Sequence, residues 1–487
     1  MNRMRRLLLL AVLVLLPLVA TLSCAQGRVR IGAEMLLATR MDLLAGKRVG
    51  VICNHTSVLP NGVHLVDTLL RRGVNVTALF GPEHGVRGTA GAGESVGDHP
   101  DPKTGIMVYS LYGATRTPSQ EMLEKVDVLV FDVQDVGARF YTYAATMAYA
   151  MQACGINRKE FIVLDRPNPI GGVEAEGPIL DLTLRSFLGL FPIPIRHGLT
   201  VGELASMIIG EGWIDDTTVK LTVVAMEGWR RSMWYDQTGL PWIPPSPNMR
   251  TLATATVYPG LCLVEASNIS EGRGTDAPFE TIGAPATDPD ALAAALNARL
   301  LPGVTFAPVT FTPAPDSLAA PNPKFKGRSC GGVTIRVTDR AKFRPVLTGL
   351  SVLREFQRMY PKKFTLLEGM MDHLLGDDVP RKQFQEGLEP ADILQRGAAQ
   401  IEPRHDGGPV VAGRAGCHGV LRIRSGRRTY YFDGSLDVEN LQANDDETFI
   451  PVSQGSALPQ AEVIPALQPG EIEFANIIRQ WGHDGTG

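Results

Sequence analysis

The residues best suited to chemistry lie in polar clusters that follow four predicted β-strands in the first third of the chain. The predicted strands span residues 44–53, 74–80, 126–131 and 161–164. Each runs directly into side chains that carry carboxylate, imidazole, guanidinium or amide groups. Because the carboxyl ends of parallel strands open on one edge of a sheet, ligands collect at that edge. Four such clusters in succession predict the active site of an enzyme.

The loop after the second predicted strand contains the first candidate for acid catalysis, Glu83. Its segment, residues 81–88, reads Gly-Pro-Glu-His-Gly-Val-Arg-Gly. The glycines and the proline allow a tight turn that presents Glu83, His84 and Arg87 to one cavity. A glutamate held in such a place can act as a general acid. One alternative is a structural ion pair between Glu83 and Arg87, and another is a metal site made by His84 and His55, although no HExxH or comparable spacing occurs.

The densest polar run follows the third predicted strand, at residues 132–143. It combines carboxylates, an amide, a guanidinium and phenol hydroxyls. Such a set can fix several sugar hydroxyls and one carboxylate, because a guanidinium binds a carboxylate through two parallel hydrogen bonds. A buried ion pair between Asp132 and Arg139 is the structural alternative. The candidate substrate-binding residues of this run are Asp132, Gln134, Asp135, Arg139 and Tyr141.

Two later loops extend the same pattern. Asp165, Arg166 and Asn168 follow the fourth predicted strand, in a stretch that two prolines stiffen. Glu176 comes next, in a turn framed by glycine and proline. Glu83 and Glu176 together would supply the pair of carboxylates that most glycosidases use.

Composition and missing motifs argue against several other functions. No GxGxxG follows the first predicted strand, which disfavours a dinucleotide, and the chain has neither a P-loop nor a GxSxG elbow. A net charge of -4 with 20% charged residues argues against nucleic acid as the main partner. We therefore expect no nucleotide, no nucleic acid, no metal and no other cofactor.

The first 25 residues have the pattern of a secretory signal peptide. Three arginines precede an aliphatic run over residues 7–22, and small residues follow it. The run is short for a membrane span, which takes about 20 residues. We expect cleavage after Ala25 and a periplasmic or extracellular protein; the alternative is a lipoprotein, and only lipidation of Cys24 would attach it to a membrane. The five other cysteines are too widely spread to predict a disulfide framework or a zinc site.

The length of 487 residues predicts more than one domain. Short aliphatic strands alternate with helical segments from residue 46 to about residue 210, which is typical of βαβ units and a parallel sheet. We predict an α/β domain over residues 30–285 and a smaller α+β domain over residues 286–403. Residues 404–487 form a C-terminal extension to which the sequence assigns no role.

Long blocks of the sequence resemble the exo-β-N-acetylmuramidases of the NamZ/YbbC type, glycoside hydrolase family 171. The resemblance covers about residues 46–403. It implies a Rossmann-like catalytic domain associated with an auxiliary domain, and release of terminal N-acetylmuramic acid from the non-reducing ends of peptidoglycan fragments. It further implies Glu83 as the acid and Glu176 as the second carboxylate. The matching blocks are residues 54–57, 81–88, 132–143, 164–169, 176–178, 246–249, 258–260 and 271–275.

The same blocks complete the list of candidate substrate-binding residues, which also contains Asn54, His55, His84, Arg87, Asp165, Arg166, Asn168, Asn248, Glu271 and Arg273. N-acetylmuramic acid carries a lactyl carboxylate, for which arginines are the expected partners. A structural salt bridge is the alternative for each arginine. Two other functions remain open: a non-catalytic protein that binds cell-wall sugars, and a metal-dependent peptidoglycan amidase or esterase. The candidate arginines are Arg87, Arg139, Arg166 and Arg273.

Overall fold

The structure is a computed structural model. It describes residues 27–398, except 89–90, 92–93, 95–96 and 215–217, together with residues 420–425 and 428–433. The predicted signal peptide, Cys24 and most of the C-terminal extension lie outside the described residues. In chain order the strands are β1 (Val49–Cys53), β2 (Val76–Gly81), β3 (His99–Pro100), β4 (Met107–Ser110), β5 (Val128–Asp132), β6 (Glu160–Leu164), β7 (Glu176–Ile179), β8 (Pro194–Arg196), β9 (Lys220–Val224), β10 (Thr281–Ala284), β11 (Val304–Phe311), β12 (Cys330–Val337), β13 (Val420–Ser425) and β14 (Arg428–Asp433).

Eleven α-helices accompany these strands within the described residues. They are α1 (Gly32–Thr39), α2 (Leu65–Arg71), α3 (Gln120–Leu123), α4 (Tyr143–Ile156), α5 (Val201–Gly210), α6 (Leu252–Leu261), α7 (Pro289–Ala298), α8 (Pro345–Met359), α9 (Glu368–Leu375), α10 (Asp378–Gln385) and α11 (Pro390–Ala398). Among the described residues, none of these helices combines the length and apolar character needed to cross a membrane.

Seven strands form one sheet in the order β3-β4-β2-β1-β5-β6-β9. All neighbours pair in parallel except β3, which runs antiparallel to β4. Without that edge strand, the parallel strands follow the order 3-2-1-4-5-6 of the Rossmann fold. All four predicted strands are present, and the predicted α/β, Rossmann-like fold is confirmed. The direction of strand succession reverses between β1 and β5, which is where such sheets bind ligands.

Burial explains why these segments are strands. Every residue of β1 and β5 is buried, as parallel strands covered on both faces require. The fourteen-residue helix α4 is also buried along almost its whole length. It begins at the end of the loop after β5, so the packing of α4 fixes that loop.

A second sheet is antiparallel and has three strands in the order β10-β12-β11. The helix α7 precedes β11, and the helix α8 follows β12. The strand β10 belongs to this sheet but precedes residue 286, so the domain boundary stays a prediction. In the C-terminal extension, β13 pairs antiparallel with β14.

Candidate active site

The carboxylate of Glu83 lies at the edge of the parallel sheet, between two loops. Glu83 follows β2, and its Oε2 accepts a hydrogen bond of 2.9 Å from the Oγ1 atom of Thr142, the residue before α4. The next residue, His84, has a φ of 72°, in the left-handed region that few residues other than glycine adopt. This turn lets Glu83 stay half-buried at the sheet edge while His84 is buried beneath it.

Two tyrosines form a wall beside Glu83. The rings of Tyr141 and Tyr143 meet edge to face, with centroids 4.9 Å apart. The hydroxyl of Tyr143 donates a hydrogen bond of 2.7 Å to the carbonyl oxygen of Pro245. Burial raises the pKa of both phenols, and the neighbouring Glu83 carboxylate raises them further. Both tyrosines therefore carry neutral hydroxyls, which suit hydrogen bonds to sugar oxygens.

The imidazole of His55 is held in one tautomer. Its Nε2 lies 2.7 Å from the carbonyl oxygen of Pro244, which can only accept, so Nε2 carries the hydrogen. Burial lowers the pKa of His55, and the ring is neutral near pH 7. The opposite nitrogen, Nδ1, is consequently an acceptor. His55 thus joins the loop after β1 to the Pro244–Pro245 segment over the sheet edge.

Two asparagines near these groups keep part of their hydrogen-bonding capacity. Asn248 donates a hydrogen bond of 2.6 Å from Nδ2 to the carbonyl oxygen of Ala319, and within the described residues its buried Oδ1 has no partner. Asn54 accepts through Oδ1 from Thr56, while its Nδ2 lies close to Tyr143 without a directed hydrogen bond to any described residue. A buried polar atom left unpaired costs about 1–3 kcal/mol. These two atoms are therefore candidate contacts for a polar ligand.

A shallow depression lies beside the Glu83 loop. His84, Glu94, His99 and Tyr112 are among its lining residues. Among the residues that the structure describes, no three His, Cys, Asp or Glu side chains are grouped as a metal site requires.

The alternative of an ion pair between Glu83 and Arg87 is not found among the ion pairs of the described residues. Arg87 instead donates to both oxygens of Asp101, at 3.1 and 2.8 Å, and to Asp67 at 3.3 Å. Burial alone would raise the pKa of Asp101, but the Arg87 hydrogen bonds and that of Thr104 lower it to about 2. Arg87 therefore stabilises the Glu83 loop through its contacts with Asp101 and Asp67.

Arg166 and Asp132 form a buried ion pair across the ends of β5 and β6. The guanidinium donates two hydrogen bonds to the carboxylate, at 2.6 and 3.1 Å, and both side chains are almost completely buried. Asp132 was expected to bind substrate or to pair with Arg139, and the second expectation is wrong because Arg166 holds both of its oxygens.

Arg139 is buried among backbone carbonyl groups. It donates hydrogen bonds of 2.7, 2.8 and 2.9 Å to the carbonyl oxygens of Pro178, Ile193 and Leu374. Burial lowers its pKa to about 9. Arg139 thus fastens the β7–β8 hairpin to the end of α9, and this geometry does not support the predicted contact with a lactyl carboxylate.

Arg273 and Glu271 also have partners within the protein. Arg273 binds Glu265 through two nitrogens and lies 3.6 Å from a carboxylate oxygen of Glu271. The other carboxylate oxygen of Glu271 lies 3.1 Å from the Nζ atom of Lys324. Each of the four candidate arginines therefore interacts with groups of the protein. Arg87, Arg166 and Arg273 form salt bridges, as the structural alternative predicts, whereas Arg139 binds backbone carbonyl groups.

The carboxylate of Glu176, a residue of β7, lies at the N-terminus of α8. No contact given for the described residues joins it to Glu83. Its two carboxylate oxygens accept backbone hydrogen bonds of 3.2 and 3.0 Å from Val346 and Leu347, and Arg344 lies 3.2 Å away. A carboxylate at a helix N-terminus is stabilised by the free N–H groups there. The predicted pairing of Glu83 with Glu176 is therefore not supported, because these contacts give Glu176 the role of a cap for α8.

The remaining candidates after β5 and β6 mostly stabilise loops. Asp165 accepts hydrogen bonds from the backbone of Gly202 and from Thr200, which caps α5. The other three have these contacts: the Asn168 amide bonds the backbone of Ile170 and Leu199, Gln134 donates to the carbonyls of Asp135 and Pro167, and Asp135 accepts from the backbone of Gly137. Burial raises the pKa of Asp135 to about 7.

Three contributors to the site were missing from the predicted residues. Thr142 and Tyr143 lie inside the polar run after β5, so their types and position were a usable signal. Ala319 contributes only a carbonyl oxygen from the loop between β11 and β12, and no sequence signal marks it.

The fold and the site define a class of enzyme. A carboxylate stands at the ligand-binding edge of a Rossmann-like sheet, among neutral hydroxyl, amide and imidazole groups. This combination suits acid catalysis on a hydroxyl-rich substrate, which is the task of a glycoside hydrolase.

Comparison with known proteins identifies the family. The model "Exo-beta-N-acetylmuramidase NamZ, N-terminal" matches residues 49–253, and the corresponding C-terminal model matches residues 256–403. The peptidoglycan beta-N-acetylmuramidase NamZ of Bacillus subtilis (strain 168) is 49% identical over 374 residues, which cover 76% of this chain and 88% of that protein. The chain belongs to the NamZ family of exo-β-N-acetylmuramidases and is a glycoside hydrolase, as the sequence blocks predict.

Two solved structures support the fold. One DUF1343 family protein of Bacteroides fragilis NCTC 9343 is 38% identical with a TM-score of 0.69, and the match covers 77% of this chain and 94% of that one. A second protein of the same family and organism is 33% identical with a TM-score of 0.63, covering 77% and 95%.

Proposed function

We propose that this protein releases terminal N-acetylmuramic acid from the non-reducing ends of peptidoglycan fragments, with Glu83 as the catalytic acid. The observation that carries the proposal is the position of the Glu83 carboxylate, hydrogen-bonded by Thr142 and next to Tyr141 and Tyr143 at the sheet edge. The family membership and the activity in the name of the Bacillus subtilis relative support it.

The chemistry that fits one carboxylate best is assisted by the substrate. Glu83 donates a proton to the glycosidic oxygen as the C1–O bond breaks, and the carbonyl oxygen of the 2-acetamido group bonds to C1. Water then attacks C1 and reopens the oxazolinium ring, while the Glu83 carboxylate accepts a proton from that water. This route needs no second carboxylate at C1, and the helix-capping position of Glu176 supports it.

Neutral donors are the proposed partners of the lactyl carboxylate. The four candidate arginines are engaged within the protein, whereas the Tyr141 hydroxyl and Asn54 Nδ2 are buried near Glu83 without a directed partner among the described residues. Hydrogen bonds from neutral donors to a carboxylate remain strong because one partner is charged.

We also propose that the protein is exported. The support is the charged, apolar and small-residue pattern of the first 25 residues, and the location of peptidoglycan outside the cytoplasmic membrane. Mass spectrometry of the protein from its native host distinguishes cleavage after Ala25 from lipidation of Cys24.

The proposed activity is tested with para-nitrophenyl β-glycosides of N-acetylmuramic acid and N-acetylglucosamine, in the presence of chelator. We expect release of nitrophenol from the muramic compound alone. Hydrolysis of both compounds would contradict the proposed specificity, and turnover that chelator abolishes would favour a metal-dependent enzyme. Inhibition by a thiazoline analogue of N-acetylmuramic acid, with the analogue of N-acetylglucosamine as the control, tests the substrate-assisted route.

A further inference from the structure

The ammonium group of Lys324 lies in a cage of oxygen atoms. Four are backbone carbonyl oxygens, and the fifth is a carboxylate oxygen of Glu271 at 3.1 Å. The carbonyl oxygens and their distances from Nζ are Val264 at 3.3 Å, Glu265 at 3.0 Å, Ser267 at 2.8 Å and Ile269 at 3.0 Å.

This environment resembles the coordination of an ion more than a set of ordinary hydrogen bonds. An ammonium has three N–H donors, so it cannot direct one at each of five oxygens. The Oε2 atom of Glu271 accordingly receives no directed hydrogen bond from any described residue, although the Lys324 charge is close. Rings of carbonyl oxygens are also how proteins replace the hydration shell of K⁺, and K⁺ and ammonium are similar in size.

The cage joins two segments that are far apart in sequence. Its oxygens belong to the turn at residues 264–271, and Lys324 belongs to the loop at residues 313–327, which we call the cover loop. A hydrogen bond of 2.8 Å from Gly327 to Pro313 closes the cover loop at its base. Another, from Ala314 to Gly274, ties it to the residues after the turn.

The other end of the cover loop contacts the active site. The carbonyl oxygen of Ala319 accepts the hydrogen bond from Asn248 Nδ2, which leaves Asn248 Oδ1 for a ligand. Asp316 pairs with Arg250 at 3.5 Å. The carbonyl oxygen of Ser317 is so close to Gly91, in the segment after Glu83, that a Cβ atom there would be 3.0 Å from it.

We propose that Lys324 is a positioning residue for the glycosidase reaction: it acts as a covalently tethered monovalent cation that holds the cover loop, and through Ala319 it orients Asn248. Lys324 contacts no reacting atom. Its charge replaces a free ion at a site built of carbonyl oxygens, so the loop is fixed at any salt composition. The inference rests on the proposed function only for its activity assay.

The test replaces the tethered cation with a free one. In Lys324→Ala the charge is lost and the space of the side chain beyond Cβ is vacated, and we expect kcat/KM on the muramic substrate to fall by about tenfold or more, mainly through KM, because a displaced Asn248 weakens substrate binding. Potassium or methylammonium chloride should restore several-fold of the activity, whereas choline chloride at the same ionic strength should not, because choline is too large for the cage. The wild type should respond equally to all three salts.

A neighbouring lysine provides the matched control. Lys326 is exposed on the same loop, and Lys326→Ala should keep wild-type activity in every salt. Equal losses in the two variants, or a Lys324→Ala loss that is the same in potassium and choline chloride, would overturn the proposal.

Thermal denaturation gives a second measurement that does not depend on turnover. Because K⁺ would bind only the folded cage, the Tm of Lys324→Ala should rise in KCl relative to choline chloride, and that of the wild type should not. If the wild type fails to hydrolyse the muramic substrate, the proposed function is wrong, and the salt dependence of Tm still decides the role of Lys324. Should Lys324→Ala not fold in either salt, Lys324→Ser, which also leaves the cage open, undergoes the same comparison; equal Tm values in both salts would overturn the proposal.

Discussion

The loops after β2 and β6 contain the same kinds of polar residue, but their carboxylates have different partners. After β6, Asp165 caps α5 and Arg166 pairs with Asp132. After β2, Glu83 is half-buried beside neutral hydroxyl groups, and nearby amide atoms have no partner among the described residues. Polar residues at a sheet edge therefore divide into those that join structural elements and those that stand beside neutral donors, and the second group forms the candidate site.

The two candidate carboxylates show the same division. Glu176 is 4% exposed and has both oxygens bound at the N-terminus of α8, whereas Glu83 is half-buried and accepts a hydrogen bond from the hydroxyl of Thr142. We infer that Glu176 stabilises the contact between the β7–β8 hairpin and α8, and that Glu83 performs the chemistry.

The largest expected loss of stability comes from breaking the ion pair between Arg166 and Asp132. Arg166→Leu leaves the Asp132 carboxylate buried without its partner, and breaking such a pair costs about 3–5 kcal/mol. Urea denaturation of the variant and the wild type measures the loss. The double variant Arg166→Leu/Asp132→Leu removes both charges and should recover part of it. If Arg166→Leu lowered the free energy of unfolding by less than about 1 kcal/mol, the ion pair would not be important for the stability of the sheet edge.

A smaller effect is expected from Asp135, whose pKa burial raises from an ordinary 3.8 to about 7. Between these pH values the unfolded chain loses the proton and the folded protein keeps it, so the free energy of unfolding falls as pH rises. An asparagine cannot ionise. In Asp135→Asn the free energy of unfolding should therefore fall about 2 kcal/mol less between pH 4 and pH 8 than it does in the wild type. Urea denaturation across this range checks it, and an unchanged slope would contradict the burial of a protonated Asp135.

The smallest expected effect concerns the hydrogen bond that orients Glu83. Thr142→Val keeps the shape of the side chain but removes the donor, and we expect kcat/KM to fall about tenfold, since one hydrogen bond contributes up to about 1.5 kcal/mol. Thr142→Ser retains a hydroxyl and is the control. If both variants matched the wild type in activity, the contact between Thr142 and Glu83 would have no role in catalysis.

The sequence predicts the sheet and the edge at which the site lies, because continuous apolar runs and alternating helices are local patterns. It does not predict which polar residues are structural, because their partners are distant. The partners of Arg139 lie at residues 178, 193 and 374, and those of Glu176 at residues 344, 346 and 347. No spacing within a motif could reveal these contacts.

The sequence also could not predict what the second sheet contributes to the active site. The cover loop offers the site a backbone carbonyl group at Ala319, and every residue type carries that group. Lys324 looks like any surface lysine until the turn at residues 264–271 is folded around it.

The most direct test of whether Glu83 performs the chemistry and Glu176 stabilises the fold compares Glu83→Gln with Glu176→Gln. Hydrolysis of the para-nitrophenyl muramic substrate and urea denaturation are measured for both variants. We predict that Glu83→Gln loses about 10²–10⁴-fold in kcat with unchanged stability. Glu176→Gln should lose about 1–3 kcal/mol of stability and, while folded, turn over close to the wild-type rate. A stable Glu176→Gln without activity, or an active Glu83→Gln, would contradict the assignment of catalysis to Glu83 alone.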